Sequence, residues 1–301
     1  MKLNNNPECL LFAQHGWADT GKNIGKLIES AVDERTKRIV PSLGLLKTFI
    51  RLKPLVEQLE QIAREEINQN PHLPIKIVGH SMGGLLWLEV LDRNPQWWSK
   101  IHSLILLGSP VGGSNIARVI DPFSWGIGTA ADLGRNRRLM ASKIARQVPT
   151  LSVASDIGMG TDGLVTVENT KFDYSNWVLI SDVPHSAMRH DSRMIPIMQR
   201  FWENPQLGST SVGSLSEQLI QRLRDVPGMT DDDHAHFQRS PIIAHLPEAL
   251  TLHHEKNLWG VDRVYLGHQQ KCLYAGYVGL VHVLGLRQTL RKIQTEAIKK
   301  E

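Results

Sequence analysis

The segment Gly79-His80-Ser81-Met82-Gly83-Gly84 sets one serine among glycines, with an apolar run at 75–78 before it and an apolar helical stretch at 85–91 after it. A strand that turns this sharply into a helix holds its central residue in a strained backbone conformation and throws the side chain clear of the sheet. Side chains two positions either side would collide across such a turn, so glycine is required there. The following helix directs its amide dipoles at any negative charge that develops near the serine. The chemistry this suits is nucleophilic attack by the Ser81 hydroxyl. A tight turn carrying an inert serine is the plainer reading, but it leaves Gly79, Gly83 and Gly84 around one exposed hydroxyl without a reason.

A serine hydroxyl needs a base within hydrogen-bond reach, and imidazole titrates near neutrality. The chain has 13 histidines, so position must choose among them. The chain order serine, acid, histidine points to His185, which follows an apolar run at 177–180 through Ser181-Asp182-Val183-Pro184. His190 is the second candidate, entering a helix. The orienting acid should follow the run at 150–154, where Asp156 and Asp162 both qualify. Either can instead be a loop carboxylate closing a turn on its own backbone. The amide of Met82, directly after the nucleophile, is the first candidate donor to an oxyanion.

These residues need a frame. Strand candidates at 9–14, 38–40, 75–78, 104–107, 150–154 and 177–180, several of them wholly apolar, alternate with helical stretches at 23–32, 55–68, 85–91 and 194–202. Runs apolar on both faces and separated by helices predict an α/β domain with a buried, mostly parallel sheet and helices on both faces. Residues 111–147 interrupt the alternation with glycines, Phe123 and Trp125, and close on a basic helical stretch. Trp87 is a core residue on this reading. After Pro205 the small-residue segment 208–214 reads as a linker. Residues 205–301 form a separate C-terminal extension of unknown role, with a helix at 215–223, strand-like pieces such as 263–266, and a basic final helix.

The GHSMGG turn and its setting resemble the α/β-hydrolase fold family, in particular its lipases and esterases. The resemblance covers residues 9–204, within a catalytic domain at 1–204, and nothing after 205. It implies a sheet of the eight-stranded type without its first strands, and a serine hydrolase that cleaves carboxylic esters through an acyl-enzyme. Acyl transfer and thioester cleavage use the same triad, and a binding protein can keep the fold without the chemistry. The stretch Thr161-Asp162-Gly163-Leu164-Val165 resembles the acid-bearing segment of many bacterial lipases, where the histidine also lies a little over twenty residues downstream. Carried over, the triad is Ser81, Asp162 and His185. The family's oxyanion loop begins with a His-Gly pair at the end of an early strand. His15-Gly16-Trp17 stands there, which makes the Trp17 amide the second donor and lets Gly16 approach closely. Gly16 and His80 then border the substrate. The family places its cap at 111–147, giving a short lid in which Phe123 and Trp125, with Ile127 and Leu133, line an acyl site; anchoring of that loop to the body explains the same aromatics. The resemblance implies no cofactor and no metal.

Composition narrows the partners. Charged residues make up 21% of the chain and the formal net charge is +4, which with no zinc-finger spacing and no arginine-rich arm gives no reason to expect nucleic acid. The expected partner is a small-molecule or lipid ester. Basic clusters at Arg135, Arg137, Arg138, Lys143 and Arg146, and at Arg287, Arg291, Lys292, Lys299 and Lys300, read as solvated helix faces, with contact to a membrane's anionic lipid or to an acidic partner as the alternatives. The run Asp231-Asp232-Asp233-His234-Ala235-His236 reads as a solvated acidic loop, since no second group of metal ligands stands at a fixed spacing. Two cysteines, Cys9 and Cys272, make no disulfide framework. No apolar leader segment opens the sequence and the longest apolar stretch is too short to span a bilayer, so a cytoplasmic location is the expectation.

Overall fold

The computed structural model describes residues 7–17, 19–43, 52–113, 135–210, 213–256 and 261–298, with the backbone alone at 298. The candidate lid residues Phe123, Trp125, Ile127 and Leu133 lie outside the described residues. The chain divides into two compact units, the first made of Met1–Gly158 and Asp162–Thr210, the second of Met159–Thr161 and Ser211–Glu301.

The first unit is built on a six-stranded sheet of β1 (Cys9–Gln14), β2 (Thr36–Ile39), β3 (Ile75–His80), β4 (Ile101–Leu107), β5 (Thr150–Asp156) and β6 (Asn176–Ser181). The order across the sheet is β2-β1-β3-β4-β5-β6 and every pairing is parallel. Parallel neighbours need crossovers, and α1 (Gly21–Ala31), α2 (Leu52–Gln69), α3 (Met82–Arg93) and α4 (Arg138–Ala145) lie in the first four; a 3-10 turn at Val167–Thr170 lies between β5 and β6, and α5 (Met194–Glu203) follows β6.

Side chains alternate between the faces of a strand, and here both faces are covered. Leu10 and Phe12 of β1, Ile75 and Ile77 of β3, and Leu104 and Leu106 of β4 pack with α2, α3 and α4. Their neighbours Leu11, Ala13, Val78, Ile105 and Leu107 pack with α1 and α5. This double burial explains strands that are apolar at nearly every position. Trp87 lies in the first of these clusters, against Phe12 at a ring separation of 5.1 Å.

The sheet is wound outward from β1, so the chain leaves β1 toward β2 and returns on its other side as β3. The carboxyl ends of β1 and β3 therefore border a crevice, the place where open parallel sheets bind ligands. His15-Gly16 ends one strand and His80-Ser81 the other.

Of the basic stretch before and within α4, Arg135, Lys143 and Arg146 are exposed as expected, whereas Arg137 and Arg138 depart from a solvated face. Arg137 is 3% exposed; its Nε donates to Glu89 of α3 at 2.9 Å and its backbone N–H to Val111 O at 2.7 Å. Arg138 donates to the carbonyls of Glu168 and Lys171. These arginines fasten the ends of the 111–147 insertion to the body.

The second unit has a five-stranded antiparallel sheet of β7 (Thr230–Asp231), β8 (Ile242–Leu246), β9 (Leu250–Lys256), β10 (Asp262–His268) and β11 (Lys271–Val278), in the order β7-β11-β10-β9-β8. Helices α6 (Leu215–Arg224) and α7 (Val283–Ile298) supply Leu219, Leu223, Leu286, Leu290 and Ile293 to a core shared with Leu252, Val264, Leu266 and Tyr274. Ser214 caps α6 in a reciprocal box with Glu217, which satisfies two otherwise unpaired amides.

The aspartate run is not the solvated loop the sequence suggests. Asp231 is 2% exposed and accepts from Arg224 and from the Tyr274 hydroxyl, while Asp232 accepts from Arg263. Each buried carboxylate thus meets a cation brought from another element. Among the described residues no group of three or more His, Cys, Asp or Glu can hold a metal ion, and no helix is long and apolar enough to cross a membrane.

Candidate active site

Ser81 sits between β3 and α3 with φ 55° and ψ −124°, a strained left-handed turn that a non-glycine residue adopts only where its surroundings enforce it. The glycines around it are obligatory. A Cβ on Gly79 would lie 2.4 Å from Gly84 Cα, and one on Gly83 would lie 2.3 Å from Gln14 O. The turn is further fixed by the Ser81 N–H donating to Leu107 O at 2.9 Å.

His185 begins a 3-10 turn after β6. Its Nε2 lies 2.8 Å from Ser81 Oγ and its Nδ1 lies 2.7 Å from Asp162 Oδ2. All three residues are buried, Asp162 at 2% exposure. The Asp162 carboxylate is aimed by its own loop: Oδ1 accepts from the N–H groups of Leu164 and Val165, at 3.0 and 2.7 Å, which leaves Oδ2 for the imidazole. The turn-forming carboxylate and the histidine-orienting carboxylate, posed as alternatives by the sequence, are the same group using its two oxygens. The backbones are tied as well, His185 N–H donating to Asp162 O at 2.9 Å.

The rival residues lie elsewhere in the hydrogen-bond pattern. Asp156 closes a turn by accepting from Gly158 N–H at 2.8 Å. His190 is exposed and precedes α5 rather than entering it.

Three features of the site were not legible as such. Gly108, the residue after the apolar run at 104–107, stands beside the His185–Asp162 bond with φ +56°; a Cβ there would lie 3.3 Å from both Asp162 Oδ2 and His185 Nδ1 and 2.9 Å from Met188 Sδ. His80, placed among the substrate-binding residues by the sequence, is 2% exposed, and its Nε2 donates to His185 O at 3.0 Å. Its ring packs 5.0 Å from that of His185. Its side chain therefore holds the histidine loop instead of facing a substrate. Burial pushes the His80 imidazole well below its ordinary range, and the neighbouring His185 acts in the same direction. Thirdly, Arg189 pairs with the buried Asp19 at 3.2 Å, linking the turn after His185 to the loop after Trp17.

On the β1 side, Gly16 lies directly under the serine: a Cβ there would be 3.0 Å from Ser81 Cβ. His15 is buried, and its Nδ1 donates to Gly16 O at 2.9 Å while its Nε2 accepts from Leu43 N–H at 3.4 Å. Burial lowers its proton affinity, which suits this neutral tautomer. The Gly16 carbonyl and the Trp17 N–H belong to one trans peptide unit and point in opposite directions, so the bond to His15 turns the Trp17 N–H away from His15. Trp17 itself packs against the core cluster of α2 and α3. Met82 is the first residue of α3, so its N–H has no acceptor within the helix; its side chain is buried.

Residues 47–126, which include the Ser81 turn, match the family described as lecithin:cholesterol acyltransferase. The lysosomal phospholipase A and acyltransferase of Mus musculus is 34% identical over 67 residues, 22% of this chain and 14% of that protein's length. Among solved structures, Bacillus licheniformis lipase BlEst2 in its propeptide form superposes with a TM-score of 0.51 at 15% identity, over 87% of this chain and 59% of that one. The mature form of the same lipase gives a TM-score of 0.49 at 18% identity, over 66% and 93%. The superposition with the propeptide form, together with the parallel sheet and its helices, identifies the fold.

Proposed function

We propose that this chain, an α/β-hydrolase by fold, is a serine hydrolase that cleaves carboxylic esters, with lipid esters as its substrate class. The observation that carries the proposal is the continuous chain of hydrogen bonds from Ser81 Oγ through His185 to Asp162, at 2.8 and 2.7 Å. The match of residues 47–126 to a lipid acyltransferase family supports the substrate class.

In this reading Ser81 Oγ attacks the ester carbonyl while His185 Nε2 takes its proton. Asp162 holds the Nδ1–H tautomer and stabilises the imidazolium without accepting the proton. The carbonyl oxygen becomes negatively charged, and the N–H groups of Met82 and Trp17 receive it. Loss of one such donor costs on the order of 100- to 1000-fold in rate. The tetrahedral intermediate collapses as His185 protonates the departing alcohol, leaving Ser81 acylated. Water, deprotonated by His185, then releases the acid.

Acyl transfer differs only in the last step, where an alcohol replaces water. The name of the matched family favours keeping it as the second reading. A panel of p-nitrophenyl esters of increasing acyl length, with and without an added long-chain alcohol, separates the two. The proposal expects p-nitrophenol release by the wild type and none above background in Ser81→Ala. Release that is equal in both proteins contradicts it. Appearance of a new alkyl ester when alcohol is present moves the assignment to acyl transfer.

A further inference from the structure

Three large apolar side chains stand in water where a 3-10 turn, Leu280–His282, leads into α7: Leu280 at 72% exposure, Val281 at 87% and, in the first turn of α7, Leu284 at 73%. Single exposed apolar residues are ordinary, but three within five positions form a contiguous patch that calls for an occupant. The core of the second unit does not need them. Helix α7 buries its opposite stripe, Leu286, Leu290 and Ile293, and with about 100° per residue Leu284 points the other way. The stripe that continues from Leu284 is Gln288 and Arg291, flanked by Lys292, all but Gln288 cationic and all exposed. Neither Arg291 nor Lys292 forms an ion pair with a described residue. The other nearby cations are engaged: Arg287 donates to Asp262 and Arg222 to Glu296. Seven residues of helix separate Leu284 from Arg291, roughly 10 Å.

We infer that this end of the second unit docks on an anionic lipid surface, Leu280, Val281 and Leu284 entering the acyl boundary and Arg291 and Lys292 meeting the headgroup phosphates. An apolar tip followed at that distance by unpaired cations on the same helix stripe matches the depth profile of a membrane interface, where apolar groups sink about 5–10 Å and cations stay at the headgroups. A protein partner or a second copy of the chain would cover the apolar tip without needing the two cations. Each cation near an anionic leaflet strengthens binding about fivefold at low salt. The inference does not depend on the ester-hydrolase reading, because binding to a surface needs no turnover.

The test is co-sedimentation of the full chain with sucrose-loaded phosphatidylcholine vesicles, with and without phosphatidylglycerol. It is run in a Ser81→Ala background so that no lipid can be consumed. Binding to the phosphatidylglycerol vesicles is expected, at least tenfold stronger than to phosphatidylcholine alone and weakened by salt. The Leu280→Asp, Val281→Asp, Leu284→Asp triple variant should lose at least tenfold of it, and Arg291→Glu with Lys292→Glu a similar amount. Thermal unfolding checks that each variant is folded, and the charge variant stands alone should the apolar one fail to fold. Vesicle binding that is absent in the parent, or unchanged in the folded variants, overturns the inference. A dimer seen by light scattering that dissociates in the apolar variant, with no change in vesicle binding, assigns the patch to a second copy instead.

Discussion

The two units of this protein use a β-sheet in opposite ways. In the first, every strand runs parallel and both faces are covered by helices, so successive residues such as Leu10, Leu11, Phe12 and Ala13 are all buried. Loops at one edge of that sheet carry Ser81, Asp162, His185, Gly16 and Gly108 to a common point. In the second, the strands pair antiparallel, β8 turns into β9 at Glu248-Ala249 and β10 into β11 at Gln269-Gln270, and α6 and α7 cover one face. Its buried charges are consumed in pairs: Asp231 with Arg224, Asp232 with Arg263, Asp262 with His254 and Arg287. The contrast teaches where chemistry can be stored. A buried carboxylate answered by a cation holds a fold together, whereas Asp162 answers an imidazole whose other nitrogen reaches a hydroxyl on a strained turn.

The largest expected effects break this contrast at its reactive end. Ser81→Ala should lower ester turnover by roughly a million-fold and leave the unfolding midpoint of the chain unchanged, as read by initial rates and circular dichroism. Asp162→Asn should cost about ten thousand-fold through loss of the imidazole tautomer, while Asp156→Asn, whose carboxylate caps the Gly158 N–H and has no hydrogen bond to the imidazole, should stay within about twofold of the parent. Equal losses in both would remove the distinction between an orienting and a turn-forming carboxylate.

Smaller effects concern stability. Arg137→Ala leaves Glu89 with its charge largely buried and unanswered, and should cost the first unit about 3 kcal/mol in urea unfolding. His80 and His15 are held below the ordinary imidazole value of 6.5, chiefly by burial. Below that value the unfolded chain takes up protons that the folded chain refuses, so the stability they contribute is present above about pH 6.5 and falls as the pH drops. Denaturation midpoints between about pH 7.5 and 5.5 should show this fall, less steeply in His80→Asn. The smallest effect lies in a hairpin of the second unit. Gln270 sits at φ 68° between β10 and β11, and Gln270→Gly should stabilise by about 0.5 kcal/mol, the relief of left-handed strain outweighing the added freedom of the unfolded chain.

The same contrast decided what could be read from sequence. Strands apolar on both faces announce themselves, and the runs at 9–14, 75–78, 104–107 and 150–154 locate β1, β3, β4 and β5 closely; the edge strand β2, Thr-Lys-Arg-Ile, buries none of its residues and is matched only in part by the candidate at 38–40. The antiparallel strands do not announce themselves: β9, Leu-Thr-Leu-His-His-Glu-Lys, carries polar residues on its less covered face and looks like a loop. The turns that would have betrayed the hairpins use Glu248-Ala249 and Gln269-Gln270 at positive φ, where glycine or asparagine is the usual signal. At the site, local pattern pointed to Ser81, and a family resemblance was needed to prefer Asp162 over Asp156. What neither could supply were contacts made across the fold, such as Gly108 beside the His185–Asp162 bond, His80 bonded to a carbonyl 105 residues away, and Arg137 reaching Glu89 over 48. Such residues are selected by tertiary neighbours, and their spacing along the chain carries no trace of it.

On the proposed mechanism the Ser81 hydroxyl owes its reactivity to the imidazole 2.8 Å away. Treating the intact chain with a fluorophosphonate and mapping the adduct by peptide mass spectrometry tests it directly. A single phosphonyl group on the peptide bearing Ser81, formed rapidly in the parent, lost in Ser81→Ala and slowed by orders of magnitude in His185→Ala, is the predicted result. A folded parent that takes up no label, or one labelled at another serine, contradicts it.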